Sequence, residues 1–599
     1  MVKYKWVALS NTTIGVLMAS INGTIILISL PAILGPSGIN INPTAPGTFI
    51  YLIWLIMGYN IITAVILLTL GRLSDIFGRT KLFNLGFVIF TVGSVLLFLT
   101  PSKGDTGALE LIIFRLIQGL GSAFLFANST AILTDAFPLH ERGKALGLNQ
   151  VAALGGSFVG LILGGVLAVY DWRYVFLVSV PIGILGTVWS LLKLQDHSVR
   201  DRNQKIDYAG NIIFGVGVTI FLLGLTYGLL PPSSGTGAMD WSSPWVIAAL
   251  AGGAFLLVLF PFVEKKIKQP MFKLSLFRIR AFAFGNLASL LASLGRGGVM
   301  FMLIILLQGI WLPIHLAPNI PYIDIPFWAG IYMVPMTLGF LTMGPLGGAL
   351  SDRYGARGIA TIGMVIVAAA FIILTFFSAN FTYIPFGATL YMMGFGSGMF
   401  AAPNTAAIMN SVSPDNRGIA SGMVATVRNV AQTASLGIFF TIVIFSLSTN
   451  LPGYFSAALT TAGAPQLIPF ISKTPPTEAL FSAFLGYNPM VQILTGIQTQ
   501  APSVYASLSQ SAIGIMTARS WFSYALAPAV MQSLRDSFYI GAVLSGAAAV
   551  LSALRGKRYV HHAVPGEEDP SMVKGESDKL TLKQNDNISD NPKGGITDK

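Results

Sequence analysis

The sequence contains no cysteine, so disulfide bonds, thiol catalysis and cysteine-ligated metal sites are excluded. Charged residues make up only 10% of the 599 residues, and histidine occurs five times. These residues form no zinc-protease spacing, no metal-spaced pair of acids and no serine–histidine–aspartate order. A phosphate-binding G-x-x-x-x-G-K-[ST] loop is also absent, which argues against ATP hydrolysis by this chain. We therefore expect neither an enzyme nor a resident cofactor or metal ion.

The residues that are present are strongly apolar. Hydrophobic residues make up 53% of the chain and its mean hydropathy is +0.70, which is typical of a polytopic membrane protein. Runs of about 20 apolar residues are long enough to cross a bilayer as helices. Fourteen such spans are predicted, at residues 7–33, 50–70, 83–100, 108–135, 145–169, 174–194, 208–230, 244–264, 281–312, 326–349, 359–378, 382–411, 419–447 and 536–554.

Lysine and arginine are distributed unevenly between the loops on the two sides of the predicted spans. With fourteen spans both termini lie on one side, and the loops there carry most of the basic residues, among them Lys3, Arg72 and Arg278. The opposite loops hold only Lys103, Arg173, Lys473, Arg519 and Arg535. The positive-inside rule therefore predicts that both termini lie in the cytoplasm. The protein is expected to span the cell membrane. The same asymmetry accounts for the net charge of +12 without a nucleic-acid partner.

Three short patterns occur twice at nearly the same offset. The charged link GRLSDIFGRTKLF at residues 71–83 returns as GALSDRYGAR at 348–357, an offset of 277 residues for the shared Gly-x-Leu-Ser-Asp-x-x-Gly. Two further pairs are offset by 275 residues: RGKALG at 142–147 with RGIASG at 417–422, and GLGS at 119–122 with GFGS at 394–397. We interpret the chain as a duplicated membrane protein whose halves repeat in parallel.

The repeat divides the sequence into two bundles of six helices. The N-terminal bundle occupies residues 1–200 and the C-terminal bundle residues 281–554. The spans at 208–230 and 244–264 have no counterpart in the repeat. We therefore expect an inserted transmembrane hairpin with cytoplasmic linkers at 201–280. The predicted fold is an all-α polytopic membrane protein.

Two segments lie outside these spans. Residues 448–535, an outer loop of the C-terminal bundle, are rich in alanine, serine, proline and aromatic residues and are too apolar for a solvated coil. We expect an outer cap on the protein or membrane surface, and one or two extra membrane segments around 479–497 remain an alternative. Residues 555–599 balance acids with bases, contain few large apolar residues and are predicted to be a disordered cytoplasmic tail.

Four blocks resemble motifs of the major facilitator superfamily, and more closely those of its fourteen-span drug:proton antiporter family. They are GRLSDIFGR at 71–79, RLIQGLGSA at 115–123, the fifth-span glycines Gly147, Gly156, Gly160, Gly164 and Gly165, and DWRYVFLVSVPIG at 171–183. The resemblance implies the major facilitator fold and a secondary active transporter that works by alternating access. It also implies efflux of drugs or metabolites coupled to protons, by a protein that works as a monomer.

Three residues depart from the antiporter pattern. Leu161 stands where the antiporters have a proline, and Ser179 where they usually have an asparagine. Asn22 stands where a first-span block of the family has an acid, a candidate proton carrier, and an amide does not titrate. An organic-anion uniporter or exchanger without proton coupling therefore remains an alternative. A non-transporting membrane sensor and a membrane-embedded enzyme are more distant ones.

The loop signature and its repeat supply candidates for a cytoplasmic gate. A carboxylate at a helix start accepts hydrogen bonds from free N–H groups and is favoured by the helix dipole. The resemblance places Asp75 near the span start at 418–421, and the repeat places Asp352 near 143–146. The candidate gate consists of Gly71, Arg72, Asp75, Gly78, Arg79, Asp352 and Arg353. A set of solvated hairpin charges is the alternative.

Three arginines lie inside predicted spans: Arg115, Arg296 and Arg428. A charge within the membrane is costly and normally lines a cavity or has a partner. The acids lie near the ends of the spans, so the buried charge is positive. We predict that the arginines face a central, substrate-binding cavity together with Asn22, Gln118, Gln308 and Asn404. In the alternative, each arginine binds helix carbonyls or extends to an interface.

The fifth-span glycines have two interpretations. Gly156, Gly160 and Gly164 are four residues apart and share one helix face, which lets another helix approach closely. Plain helix packing and a role in the rocking of the two halves are both compatible with this pattern.

The predicted topology can be tested with membrane-impermeant labels or reporters at three positions. Probes at Ser233 and Lys473 should report from outside the cell, and a probe at Lys583 should report from the cytoplasm, because an even number of spans separates the termini. Finding Ser233 and Lys583 on the same side would contradict the fourteen-span arrangement.

Overall fold

The computed structural model describes residues 4–43, 45, 47–138, 141–195, 207–230, 239–267, 270, 272–315, 321, 324–413, 416–471, 475–518 and 520–556. Within these residues the regular secondary structure is entirely helical. The predicted tail at 555–599 lies outside the described residues, apart from Arg555 and Gly556.

Nine helices of the described part of the chain precede the second bundle. They are α1 Tyr4–Leu34, α2 Phe49–Phe77, α3 Arg79–Phe98, α4 Gly104–Ala136, α5 Arg142–Tyr170, α6 Tyr174–Leu177, α7 Ser179–Lys193, α8 Tyr208–Gly228 and α9 Pro244–Glu264. Helices α6 and α7 together form one span, and α8 and α9 form the inserted hairpin.

The second bundle begins after a short 3₁₀ helix at Leu274–Arg278. Its helices are α10 Arg280–Ile305, α11 Leu312–His315, α12 Ile325–Tyr332, α13 Val334–Tyr354, α14 Ala356–Thr375, α15 Tyr383–Asn410, α16 Arg417–Thr461, α17 Ile468–Ile471, α18 Pro476–Phe484, α19 Met490–Gln500, α20 Pro502–Ala506, α21 Gln510–Thr517 and α22 Trp521–Leu554. A π-helix at Leu306–Trp311 joins α10 to α11, and a 3₁₀ turn at Pro465–Leu467 precedes α17.

Thirteen helical stretches of the described chain are long and apolar enough to cross a membrane. The predicted span that is not among these thirteen, at 382–411, is α15. This helix is 28 residues long but rich in glycine, which lowers its hydropathy. Helix α15 packs against α13 and α14 as α4 packs against α2 and α3. The two six-helix bundles and the hairpin predicted from the sequence are therefore confirmed.

The duplicated link has the same backbone geometry in both copies. Gly78 and Gly355, offset by 277 residues, have φ angles of +103° and +86°, which a side chain would strain. Each N–H donates to a serine carbonyl four residues earlier, at 3.0 Å to Ser74 and 2.8 Å to Ser351. The glycine ends one helix and starts the next, so the repeat in sequence is a repeat in structure.

The inserted hairpin lies against the seam between the two bundles. Helix α8 contacts α2 of the first bundle and α16 of the second. Thr226 lies 3.6 Å from the sulfur of Met57, and a methyl group added at Gly437 would lie 3.3 Å from Leu225. Most of α9 faces away from the protein, which is expected of a lipid-facing helix.

Helices α1 and α5 approach each other along a row of glycines. A methyl group at Gly156, Gly160 or Gly164 would lie 2.9, 2.5 and 2.5 Å from backbone carbonyl oxygens of α1. Hydroxyl groups of α1 use this closeness: Thr24 donates to the Ser157 carbonyl at 2.6 Å, and Ser29 to the Gly164 carbonyl at 3.1 Å. The predicted helix-packing face therefore lies within the N-terminal bundle.

The outer segment is more ordered than the predicted boundaries at 448 and 535 imply. Helix α16 continues to Thr461 and α22 begins at Trp521, so both extend beyond the predicted spans. The sequence obscured these extensions because prolines and charges interrupt the apolar runs. The charges have partners: Ser446 donates to Asp536 at 2.6 Å, and Arg535 donates to the Phe377 carbonyl at 3.2 Å.

The cap between these extensions consists of short helices, and 479–497 contains no membrane span. In α18, Phe481 packs on Phe49 of α2, and Phe484 packs on Phe301 of α10, with ring centroids 6.1 and 5.7 Å apart. The cap thus touches both bundles on the predicted outer side. Partial burial raises the pKa of the Glu478 carboxyl, so this cap helix packs more favourably at pH below that pKa than above it.

The glycine row gives a test with its own control. Replacing Gly160 with alanine should lower the midpoint of thermal unfolding in detergent, since the added methyl overlaps α1 and overpacking typically costs about 1–3 kcal/mol. Gly147→Ala on the same helix should leave the midpoint unchanged or raise it slightly, because no atom lies within 4 Å of the added group and alanine favours a helix over glycine. Equal midpoints for the two variants would show that the helices separate without cost.

Candidate functional site

Two adjoining cavities lie between the bundles. The first has about 640 Å³ of empty space and is lined mainly by α10, α14, α15 and α16, with Gln150 and Leu154 of α5. The second has about 560 Å³ and is lined by α1, α2, α4 and α5, together with α10 and α16. Leu154, Arg296 and Arg428 line both cavities. These three residues mark the junction of one central cavity with two compartments.

Close packing of α10 on α16 brings the two arginines together. A methyl group at Gly297 would lie 2.7 Å from the Gln432 carbonyl oxygen, so the backbones approach where only glycine fits. One residue further, the Gly298 N–H donates to Ser435 Oγ at 2.7 Å. Arg296 precedes Gly297 and Arg428 lies one turn before Gln432. Both guanidinium groups therefore face the same cavity.

The charge of this cavity is positive and uncompensated. Within the described part of the chain, neither Arg296 nor Arg428 forms a hydrogen bond or an ion pair, and the two positive charges repel each other. No aspartate or glutamate is among the described residues that line either compartment. Two buried amide nitrogens at the cavity, Gln150 Nε2 and Asn429 Nδ2, also lack a hydrogen-bond partner among the described residues.

The two compartments differ in polarity. Six large apolar side chains line the first compartment: Leu154, Met364, Val367, Phe371, Met393 and Phe400. Small polar side chains dominate the second: Ser20, Thr24, Asn60, Thr63, Ser157, Asn429 and Gln432. The cavity can therefore accept a molecule with one apolar part and one polar part.

Asn22 and Gln118 form a hydrogen-bonded core inside the N-terminal bundle. The Asn22 amide donates to the Met18 carbonyl at 3.1 Å and to Ser179 Oγ. Gln118 donates to Asn22 Oδ1 at 3.2 Å and to Ser94 Oγ at 2.8 Å. Both side chains are fully buried, and neither is among those that line the two compartments. Their predicted role in substrate binding stays a prediction.

Arg115 binds a helix carbonyl rather than the cavity. Its Nε donates to the Leu55 carbonyl at 2.8 Å, and its guanidinium lies 4.9 Å from the ring centre of Tyr59. Tyr59 lines the second compartment and donates to the Ala19 carbonyl at 2.8 Å. Arg115 therefore lies behind the cavity wall, in the arrangement that we kept as the alternative for a buried arginine.

Gln308 and Asn404 have different surroundings. Gln308, in the π-helix, donates to the Ile28 carbonyl of α1 at 2.7 Å and so joins the two bundles away from the cavity. Asn404 lines the first compartment, donates to the Gly285 carbonyl at 3.1 Å and accepts a hydrogen bond from Arg555. Of the seven predicted cavity residues, the structure thus brings Arg296, Arg428 and Asn404 to the cavity.

The comparison with protein families decides the identity of the fold. The model of the Major Facilitator Superfamily matches residues 12–436. This chain belongs to the major facilitator superfamily. The prediction of a membrane transporter rather than an enzyme is confirmed.

Relatives in this superfamily cover most of the chain. It is 27% identical over 449 residues to the riboflavin transporter RibZ of Clostridioides difficile (strain 630), which covers 75% of this chain and 90% of RibZ. It is 24% identical over 550 residues to the multidrug transporter protein MdtP of Bacillus subtilis (strain 168), which covers 91% of this chain and 92% of MdtP.

One solved structure shows the same fold. The bacterial homologue of the human lysosomal transporter Spinster, in an inward-facing and occupied conformation, matches with a TM-score of 0.51 at 14% identity. The match covers 93% of this chain and 98% of that one.

The structure describes only some side chains of the loop signature at 71–79 and of its repeat at 348–357. At Gly71 no atom lies within 4 Å of an added methyl group, and Gly78 makes the turn described above. Arg79 pairs with Asp135 of α4 at 2.6 Å, within its own bundle. Arg353 is exposed and lies over the ring of its neighbour Tyr354. The side chains of Arg72, Asp75 and Asp352 lie outside the described part, so the gate stays a prediction.

The glycines of α5 that resemble the antiporter spacing face different parts of the protein. Gly156, Gly160 and Gly164 face α1, as described above. Gly165 faces the other bundle, where a methyl group would lie 2.6 Å from the Pro326 carbonyl oxygen of α12. Gly165 therefore packs at the contact between the bundles, whereas Gly147 packs against nothing within 4 Å.

The sequence predictions omitted most of the polar cavity wall. Tyr59, Asn60 and Thr63 share one face of α2, and Asn429 and Gln432 continue the face of Arg428. The signal was present, since these polar residues recur at helical spacing inside predicted spans. Small polar residues within an apolar run, however, also occur wherever helices pack, so they carry less information than a charge.

The hydrogen bond of Gln308 gives a second test, for which the absence of cysteine is convenient. Gln308→Leu removes a buried bond between the bundles worth about 1 kcal/mol. The population with the predicted outer side open should rise about fivefold. A single cysteine at Thr24, in the second compartment, should then react correspondingly faster with an impermeant maleimide added from outside. Gln466→Leu in the cap is the matched control, and unchanged labelling in Gln308→Leu would contradict the prediction.

Proposed function

We propose that this chain exports small, partly apolar molecules across the cell membrane by alternating access, as a monomer with cytoplasmic termini. The observation that carries this proposal is the central cavity. It is lined by helices of both bundles, has one apolar and one polar compartment, and lies where rocking of the bundles would expose it to each side in turn. The names of the relatives, riboflavin and multidrug transporters, support a substrate of this kind.

The proposal is testable by flux in proteoliposomes. Three fluorescent probes of different charge serve as substrates: neutral riboflavin, anionic carboxyfluorescein and cationic ethidium. We expect flux of at least one probe, and Gly23→Trp should abolish it because the indole fills the second compartment. Gly252→Trp, at a glycine of α9 with no atom within 4 Å of an added methyl group, should retain flux. Absence of flux for all three probes would refute the proposal.

Proton coupling is one of two candidate modes. It is suggested by the resemblance to drug:proton antiporters, and it requires a cavity group that changes charge in the working pH range. The acids near the spans do not supply one at the cavity: Asp135 pairs with Arg79, and Glu110 accepts from Ser102 at 2.7 Å at the other end of α4. The second mode, an organic-anion uniporter or exchanger without proton coupling, is favoured by the two arginines and the acid-free lining.

The modes differ in their response to a pH gradient. We expect wild-type flux to depend weakly on an imposed gradient, since Asn22 and Gln118 do not titrate. Asn22→Asp should introduce a dependence, because a carboxylate that is buried beside Ser179 exchanges its proton more readily than an amide can. Asn22→Leu is the control that removes the amide without adding a titratable group. Strong coupling in the wild type, abolished by Glu110→Gln or Asp135→Asn, would identify the carrier elsewhere.

A further inference from the structure

We propose that Arg296 and Arg428 together bind the acidic head group of an organic anion, a carboxylate, sulfonate or phosphate, whose apolar body occupies the first compartment. This inference rests on the proposed function, because it names the substrate class of the same cavity. It assigns an anionic ligand to the junction of the two compartments, whereas the sequence alone left the substrate class open.

The first argument is the energy of two like charges. A guanidinium within the membrane normally has a partner, because desolvation of the charge is otherwise uncompensated. Arg296 and Arg428 have none among the described residues, and glycine packing at Gly297 keeps them close enough to repel. A single anion between them adds two attractions, which outweigh the one repulsion that remains. The site is therefore most stable with an anion bound.

The second argument is the hydrogen-bonding inventory. A guanidinium carries five N–H donors and no acceptor. The unpartnered buried amide atoms at the cavity, Gln150 Nε2 and Asn429 Nδ2, are also donors. A ligand that satisfies this set must supply acceptors. An oxyanion does so with two or more oxygen atoms. Two of these can accept parallel hydrogen bonds from one planar guanidinium group.

The third argument concerns the rest of the ligand. The apolar side chains of the first compartment, among them Phe371, Phe400 and Met393, line the same space as the arginines. Methionine side chains adapt to differently shaped apolar groups. The second compartment, which the arginines also line, is polar. The ligand is thus an amphipathic acid, with its apolar part in the C-terminal bundle.

Binding to the purified, full-length protein tests the inference with three probes of equal size. They are 2-naphthoate, its neutral carboxamide 2-naphthamide, and the cation 2-naphthylmethylammonium. Calorimetric titration should give at least about tenfold tighter binding for the carboxylate than for the carboxamide, which corresponds to one charged hydrogen-bond pair. The ammonium should bind more weakly than both. Equal affinities for the carboxylate and the carboxamide would overturn the inference without the need for any variant.

Variants locate the head group. Arg296→Gln and Arg428→Gln should each weaken 2-naphthoate binding about tenfold and leave 2-naphthamide binding unchanged. The unchanged carboxamide binding also verifies that the variants are folded. Arg296→Lys should retain part of the affinity, because it keeps the charge but loses the planar fork. Arg278→Gln, at an exposed arginine of the 3₁₀ helix, is the matched control. An equal loss in Arg278→Gln, or none in the cavity variants, would overturn the assignment.

The two proposals fail separately. Flux of riboflavin with no binding preference for 2-naphthoate would support the proposed exporter and contradict the anion site. Preferred binding of 2-naphthoate that depends on Arg296, with no flux of any probe, would support the anion site and contradict the exporter.

Discussion

Glycine residues let the backbones of neighbouring helices approach closely, and these contacts determine how the helices of this protein are arranged. Where Gly160 faces α1 and Gly297 faces α16, an added methyl group would lie within 2.7 Å of a carbonyl oxygen. Such contacts replace the hydrophobic effect as a source of helix association, because lipid is as apolar as the side chains. They also orient neighbouring residues, and the two cavity arginines are neighbours because α10 and α16 meet at Gly297 and Gly298.

Burial of a charge within a span is costly, and the arginines inside predicted spans, Arg115, Arg296 and Arg428, meet this cost in two different ways. Arg115 is satisfied in part by a carbonyl and by the face of Tyr59, and it lies behind the wall of the cavity. Arg296 and Arg428 face the cavity and have no such partner among the described residues. An uncompensated charge within a membrane normally marks a functional site. The difference between the three lies in packing and not in the residue type.

The sequence predicted the fold well because hydropathy, charge asymmetry and the repeat depend on short stretches. The repeated motif that it contains ends in both copies at a glycine, Gly78 and Gly355, where the positive φ favours glycine. The sequence placed the ends of α16 and α22 wrongly, because the partners of Asp536 and Arg535 are distant in sequence. At the site, a charged residue inside a span correctly indicated Arg296 and Arg428, whereas the same signal at Arg115 marked a residue that does not line the cavity. The surroundings of Gln308 and Arg115 depend on which helix faces them, which one sequence does not contain.

The contacts between the bundles differ in kind on the two sides of the cavity, and this bears on how binding is linked to movement. Towards the cap, the bundles are joined by the Gln308 hydrogen bond and by aromatic rings of the cap helix α18, contacts that need no ligand. At the cavity, the C-terminal bundle presents two positive charges opposite the polar wall of the N-terminal bundle. A ligand shifts a conformational equilibrium only by its differential affinity for the two states. An anion that contacts both the arginines and this polar wall has such a difference, since it makes more contacts when the bundles are close. The repulsion between the arginines lies within the C-terminal bundle and is the same in both states, so only the contacts of the ligand with the N-terminal bundle link binding to movement.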